Sequence, residues 1–436
     1  FVFLVCAGRR LLAGSNTYSR AVPLRMGHHG ASSSFRIRNF NWPGRSRWVR
    51  AGGIQGDVLM IFVLVPLFGL FGFFGSMASA DIIGDSHFQY RVDEKEVASA
   101  ERTVIGPYLD AFSNQDRVKY EGSSSTTYFG SEVKKLAFGS CNFQRLSQKY
   151  FANIDALRPD VWVWTGDIIY ADGLPAWLRQ NEYNHVKSSP AYAAFRKNTA
   201  IVGVWDDHDY GRNDVGEEFR DKVASQRLLL DFLDEPKDSP RREQKGVYWT
   251  YRFGPADRQI RLIVLDLRYF RKPGVDAEVL GEAQWKWLEH ELALGAEPAV
   301  TVIASSTEFL PFESHGDRWE EFPVSKSRLL DLVRPLPEKV IFLSGDVHFG
   351  EISRWDDAAY GKVLDEVTAS GLTHAGIGVA FAKNRYRQGS TVTENHYGLL
   401  TFDWSGQVPQ VLYELRSTAA NKVLQSFRTD AARRSW

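Results

Sequence analysis

The stretch "VWDDHDYGRNDVG", residues 204–216, decides how the rest of the chain is read. It opens as an apolar, strand-like run and then sets Asp206, Asp207, Asp209 and Asp214 around His208. Two carboxylates held about 4 Å apart repel by roughly 4 kcal/mol at the effective dielectric near a protein surface. A bound cation would relieve that repulsion, and its other ligands must then come from elsewhere in the chain.

Working outward, six apolar runs rich in Val, Ile, Leu and aromatics read as strands buried on both faces. They are "KKLAFGSC", "DVWVWTGD", "AIVGVWDDHD", "IRLIVLDLR", "AVTVIASSTE" and "KVIFLSGDVH". Between them, "EEFRDKVASQRLLLDFL" and "LGEAQWKWLEHELAL" have helical spacing. In the second, Trp285, Leu288 and Leu292 share a face, while Glu282, Glu289 and Glu291 take others. Strands alternating with helices predict one large α/β domain. The six runs end at Cys141, Asp167, Asp207, Arg268, Glu308 and Asp346. In open α/β sheets the ligand crevice lies at the carboxyl ends of the strands. Several metal-capable endings in one chain are harder to ascribe to chance than one.

"GSCN" puts a soft ligand, Cys141, after the first run, where the plain alternative is a buried free thiol. Asp167 in "TGDIIYAD" is otherwise a helix cap. Asp346 and His348 are separated by one residue, so in a strand both would project to the same side. Sulfur, imidazole and carboxylates together suit a transition metal at the cysteine and a harder cation among the acids.

The order and spacing of "FGSCN", "TGDIIYAD", "VWDDHDYGRND", "LDLRYFR", "LGEAQWKWLEHEL" and "SGDVHF" resemble the calcineurin-like metallophosphatases, specifically their alkaline phosphatase D-type, or PhoD-like, branch. The likeness spans about Leu136 to Phe349. It implies an α/β sandwich of two mainly β layers flanked by helices, with the metal site at the strand C-terminal ends. It also implies hydrolysis of phosphate monoesters and diesters, with iron and calcium as cofactors. By the same resemblance, Cys141 would bind iron, Asp167 would bridge the two metals, and Asp207, Asp346 and His348 would be ligands. Tyr183 would match an iron-bound tyrosinate, and Asn213 an asparagine near calcium. The nucleophile would be a metal-bound hydroxide, and His208 would protonate the leaving group. Asp209 either holds that imidazole or is a plain solvent-facing acid. Arg268 and Arg271 either contact phosphate in planar, two-bond fashion or pair with nearby carboxylates. Asp206 and Asp214 carry a structural role by default. Of the remaining histidines, His315 could line a substrate mouth, though that is the lesser reading; His374 and His396 are not expected to bind metal.

Bulk properties fit this frame. The 53 acidic and 53 basic residues balance, which gives no support to nucleic-acid binding. A basic stretch, Arg36–Arg50, precedes the uncharged run 58–80, which ends in small residues at Ala78 and Ala80. That pattern predicts a secretory signal peptide, with a retained membrane anchor or a plastid-type leader as alternatives. The expected division is a leader over 1–80, an N-terminal extension over 81–132 and a catalytic domain over 133–436. Each version places the catalytic domain outside the cytosol, secreted or lumenal, and anchored if the apolar run is kept. Cys141 is then the sole thiol after the leader, so no internal disulfide is available. The extension is too short for the β-domain that bacterial members often carry, which predicts a more open site for bulky esters.

Three functions follow in order: a secreted or lumenal metal-dependent phosphoesterase on phosphate monoesters or diesters of a small molecule or lipid, a phospholipase-like or glycerophosphodiester phosphodiesterase on the same fold, and a silent metal-binding module. Against the last, every ligand-capable motif position is occupied and His208 is present. A zinc peptidase is disfavoured because no H-E-x-x-H occurs.

Overall fold

All six apolar runs form strands, and they divide into two parallel triplets. The computed structural model describes residues 126–274, 277–293, 298–311, 317–376, 383–406 and 408–429. The leader, including 58–80, and the segment 81–125 lie outside the described residues. Strands β2 (Lys135–Gly139), β3 (Val161–Thr165) and β4 (Ala200–Val204) run parallel in one sheet. Strands β6 (Ile260–Val264), β7 (Val300–Ala304) and β8 (Lys339–Ser344) run parallel in the other.

Further strands widen both sheets. The first gains β11 (His396–Asp403), β12 (Gln410–Ser417) and β13 (Val423–Arg428), giving the order β13-β12-β11-β2-β3-β4. The second gains β1 (Thr126–Phe129), β5 (Trp249–Phe253), β9 (Gly350–Asp357) and β10 (Lys362–Ala369), giving β1-β5-β6-β7-β8-β10-β9. The end of the segment read as an N-terminal extension thus enters the sheet, with β1 parallel to β5.

Strand alternation explains the layers. Leu262, Val264, Val302, Ala304, Ile341 and Leu343 join the large core shared with the first sheet. Their neighbours Ile263, Ile303, Val340 and Phe342 join a second core with Trp285, Leu288, Leu329 and Val333. Those last four come from helices Gly281–Ala293 and Pro323–Val333, which cover the outer face. Strands covered on both sides can be apolar throughout, which is why these runs lack polar alternation. Trp162 and Trp164 of β3 pack against Phe151, at ring distances of 5.5 and 5.8 Å. One expectation for helix Gly281–Ala293 changes: Glu291, assigned to another face, is buried and accepts the Thr126 hydroxyl of β1 at 3.1 Å. Among the described residues, no helix is long and apolar enough to cross a membrane.

Candidate functional site

The first parallel triplet delivers Cys141, Asp167 and Asp207 just past its strands, and β8 of the second delivers Asp346 and His348. Four of these five have left-handed backbones: φ is +58° at Cys141, +50° at Asp167, +70° at Asp346 and +57° at His348. Only eight described non-glycine residues do so, so half of that set falls on candidate ligands. Such conformations cost on the order of 1–3 kcal/mol each, and they persist where a site over-determines them. Gly166, at φ +94°, makes the crowding feasible: a Cβ there would lie 2.4 Å from Cβ of Asp206.

The side chains form three linked groups whose ligand atoms lie within 4.8 Å of one another: Cys141–Asp167–His348, Asp167–Asp207–His208 and Asp206–Asp207–Asp346. Asp167 belongs to the first two and Asp207 to the last two, so the groups are continuous. The Cys141 thiol donates to Asp167 Oδ2 at 3.6 Å and lies 3.0 Å from Ser370 Oγ. Asp207 accepts the amide of Asp214 at 2.6 Å and that of His208 at 2.9 Å.

Electrostatics point to missing positive charge. Burial pushes the Cys141 thiol well above its ordinary range, and the Asp167 carboxylate adds to this. Burial and the neighbouring Asp207 likewise raise Asp167; burial, Asp206 and Asp207 raise Asp346. Burial pushes Asp206 up to about 7 despite Arg268. Oδ1 of Asp167 and Oδ2 of Asp206 are buried without a hydrogen-bond partner. Leaving such atoms unpaired costs about 1–3 kcal/mol each. A cation among these donors would satisfy both atoms and return the acids and thiol to their charged forms, so the residues fit a metal centre.

His208 stands among these groups with its imidazole held by a carboxylate. Its Nδ1 lies 2.8 and 2.9 Å from the two carboxylate oxygens of Asp172. Burial alone would lower this imidazole, but the Asp172 hydrogen bond and the charges of Asp167, Asp207 and Asp172 push it up to about 10. Asp209, one expected holder of the ring, does something else. Its carboxylate accepts the amides of Ile168 at 3.1 Å and Asp206 at 2.7 Å, closing a capping box on the short helix Asp207–Tyr210. It is neither a support for the ring nor a solvent-facing acid.

Other expectations change as well. Arg268 is fully buried and spends its guanidinium on carboxylates: Nε and Nη2 each lie 2.6 Å from Asp206 Oδ1, and Nη1 lies 2.5 Å from Asp317 Oδ2. The ion-pair alternative therefore describes it, and it offers no open face to phosphate. Arg271 shares Asp317 and donates to the carbonyl of Asp214. Asp346 and His348 do not share a strand face, because β8 ends at Ser344; their left-handed backbones send them to different groups. Asn213 is exposed, donating its side chain to Asp214 at 2.7 Å and its amide to Asp172 at 2.9 Å. The Tyr183 hydroxyl is buried without a hydrogen-bond partner, and its ring packs 5.1 Å from that of Phe232.

Tyr170, rather than Tyr183, brings its phenol to the candidate ligands. Its hydroxyl donates to Asp167 Oδ2 at 3.1 Å, and lies 3.0 Å from His348 Nε2 and 3.1 Å from His374 Nε2. His374, not expected to bind metal, stands with its ring 4.5 Å from that of His348. Burial and nearby imidazoles lower it to about 4, so it is neutral. Tyr170 and Asp172 follow Asp167 by three and five residues within "TGDIIYAD", which was the available signal. His374 had none, since it arrives on a loop after β10. His315 lies outside the described residues.

The Asp172 contact yields a prediction. If the imidazole of His208 works as a general acid, Asp172→Ala should lower kcat by about 10–100-fold, less than the roughly 10²–10⁴-fold that such catalysis contributes because the imidazole itself remains, while KM and metal content hold. A matching loss of metal would place Asp172 in the ligand set instead.

A family model described as PhoD-like phosphatase matches residues 136–419. The comparison with curated proteins returned no match. Among solved structures, the chain is similar to one described as the structure of PhoD, with 17% identity, 70% of this chain and 70% of that chain covered, and a TM-score of 0.55. It is also similar to purple acid phosphatase PPD1 from yellow lupin (Lupinus luteus) seeds, with 14% identity, 68% and 54% coverage, and a TM-score of 0.46. The first likeness supports the two-sheet fold.

Proposed function

The chain belongs to the PhoD-like phosphatase family, and from that premise we propose a metal-dependent phosphoesterase acting on phosphate monoesters or diesters. The observation that carries this reading is the sharing of Asp167 between the sulfur–imidazole group and the carboxylate group. Cys141, Asp167, Tyr170 and His348 would hold a transition metal, and iron suits thiolate, phenolate and imidazole donors. Asp167, Asp207, Asp206 and Asp346 would hold a hard cation such as calcium, which prefers oxygen ligands. Bound there, such cations lower the pKa of a water and take charge from phosphoryl oxygens.

The chain's own residues supply the rest. Asp172 holds His208 through Nδ1, leaving Nε2 to donate a proton to the departing ester oxygen. Arg268 holds Asp206 against Asp207, and the amides of Asp214 and His208 steady the Asp207 carboxylate. Burial opposes charge on Asp207, but Arg268, His208 and those amides outweigh it and keep the carboxyl below its ordinary range. The basic stretch and apolar run before residue 81 support export from the cytosol.

Metal analysis and turnover measured on one sample test this reading: iron and calcium should be present, and a chelator should remove activity with them. A phenolate on ferric iron gives a visible charge-transfer band. Tyr170→Phe should abolish that band while Tyr183→Phe retains it. The opposite pattern would return the ligand role to Tyr183, and a metal-free active protein would overturn the proposal.

A further inference from the structure

Seven large hydrophobic side chains are exposed among the described residues, and two of them, Phe143 and Leu146, sit in the loop that leaves Cys141. Phe143 is 39% exposed and Leu146 48%. Isolated apolar residues at a surface need no explanation, but this pair is fixed in place. The Phe143 amide donates to Thr373 Oγ1 at 2.7 Å, and its carbonyl accepts the Leu146 amide at 2.9 Å. Thr373 in turn donates to the carbonyl of Cys141 at 3.2 Å. The loop is thereby tied to the candidate ligands themselves.

The Phe143 ring also touches the site. Its centroid lies 5.9 Å from that of Tyr170 and 6.4 Å from that of His374, edge-on to the latter. Tyr170 lies 4.3 Å from the ring of His208, the proposed proton donor. An aromatic row therefore runs from the point where the leaving group departs out to an exposed phenyl ring. Aromatic rings at such spacings gain about 0.5–1.5 kcal/mol beyond the apolar area they bury. A phosphate ester with a small polar alcohol would leave this row in water, whereas a flat apolar substituent would cover it.

We propose that Phe143 is a specificity-determining residue, and that the site selects phosphate esters whose substituent is a planar aromatic ring. The inference rests on the phosphoesterase reading above. Chemically, the ring of an aryl ester and the base of a nucleotide offer the same stacking face.

Calorimetry of the metal-loaded protein with phenylphosphonate and methylphosphonate tests the idea without requiring turnover. Phenylphosphonate should bind about 10-fold more tightly than methylphosphonate. Phe143→Ala should remove that preference, with methylphosphonate affinity changing less than about 2-fold. Phe143→Leu should behave like Phe143→Ala, whereas Phe143→Trp should preserve the preference. Equal affinity of the two phosphonates for the unaltered protein, or a preference that survives Phe143→Ala, would overturn the inference. Recovery by Leu would also overturn it, since that would make the contact simply apolar. Adding adenosine monophosphate as a third ligand separates a nucleotide from a simple aryl group. If neither phosphonate binds, this inference is lost while ester turnover still decides the phosphoesterase reading. If phenylphosphonate is preferred and Phe143→Ala removes the preference, yet no ester is turned over, the phosphoesterase reading fails and with it the claim that the selected ligands are substrates.

Discussion

Asp167→Ala is expected to empty both sides of the site at once. The residue belongs to the group around Cys141 and His348 and to the group around Asp207 and His208. Its removal should lower metal content on the sulfur side and the carboxylate side together. Lewis-acid stabilisation is worth several kcal/mol, and each 1.36 kcal/mol is a factor of ten, so kcat/KM should fall by about 10³–10⁴-fold or more. The fold should survive, because Asp167 lies beyond the end of β3 and its loss removes a buried carboxylate that the neighbouring Asp207, Asp206 and Asp209 already disfavour. Elemental analysis and steady-state rates on one preparation measure both effects. Retention of both metals by Asp167→Ala would remove the residue from its shared position.

His208→Ala should separate chemistry from binding. If the imidazole donates a proton to the leaving oxygen, kcat should fall by about 10²–10⁴-fold with metal content intact. The loss should depend on the substrate. An alkyl ester needs a proton as its oxygen leaves, whereas a nitrophenyl ester expels a stable anion and should suffer far less. Rates across esters of graded leaving-group acidity therefore read the role directly. A uniform loss across that series would remove the proton-donor assignment, and loss of metal would make His208 a ligand.

The fold was largely legible because its central strands are covered on both faces. That burial demanded continuous apolar runs, and each of "VWVWT", "IRLIV" and "VTVIA" became a strand. The edges were less legible: β1 is a short "TTYF" segment defined by its pairing with β5. At the site, motifs along the chain identified Cys141, Asp167, Asp207, His208, Asp346 and His348, which do converge. Partners fixed by the third dimension were harder. Asp209 is adjacent to His208 in sequence, yet a helix turn directs it to backbone amides, while Asp172 reaches the imidazole from 36 residues away. Tyr170 was within the quoted motif but had no pattern to distinguish it from core aromatics. Arg268 illustrates the remaining ambiguity: an arginine after a strand suits phosphate or carboxylate equally, and only its enclosure by Asp206 and Asp317 decides.

The two triplets also make the site a seam. Cys141, Asp167 and Asp207 belong to one sheet, whereas Asp346 and His348 belong to the other. The margins are stitched where the Ser140 amide donates to the Ala369 carbonyl at 3.1 Å and the Cys141 thiol meets Ser370. Any ion gripped from both margins would act as a rivet, and its binding energy would resist the sheets sliding apart. Catalyst and joint would then be one object, loosened together when the ion is withdrawn.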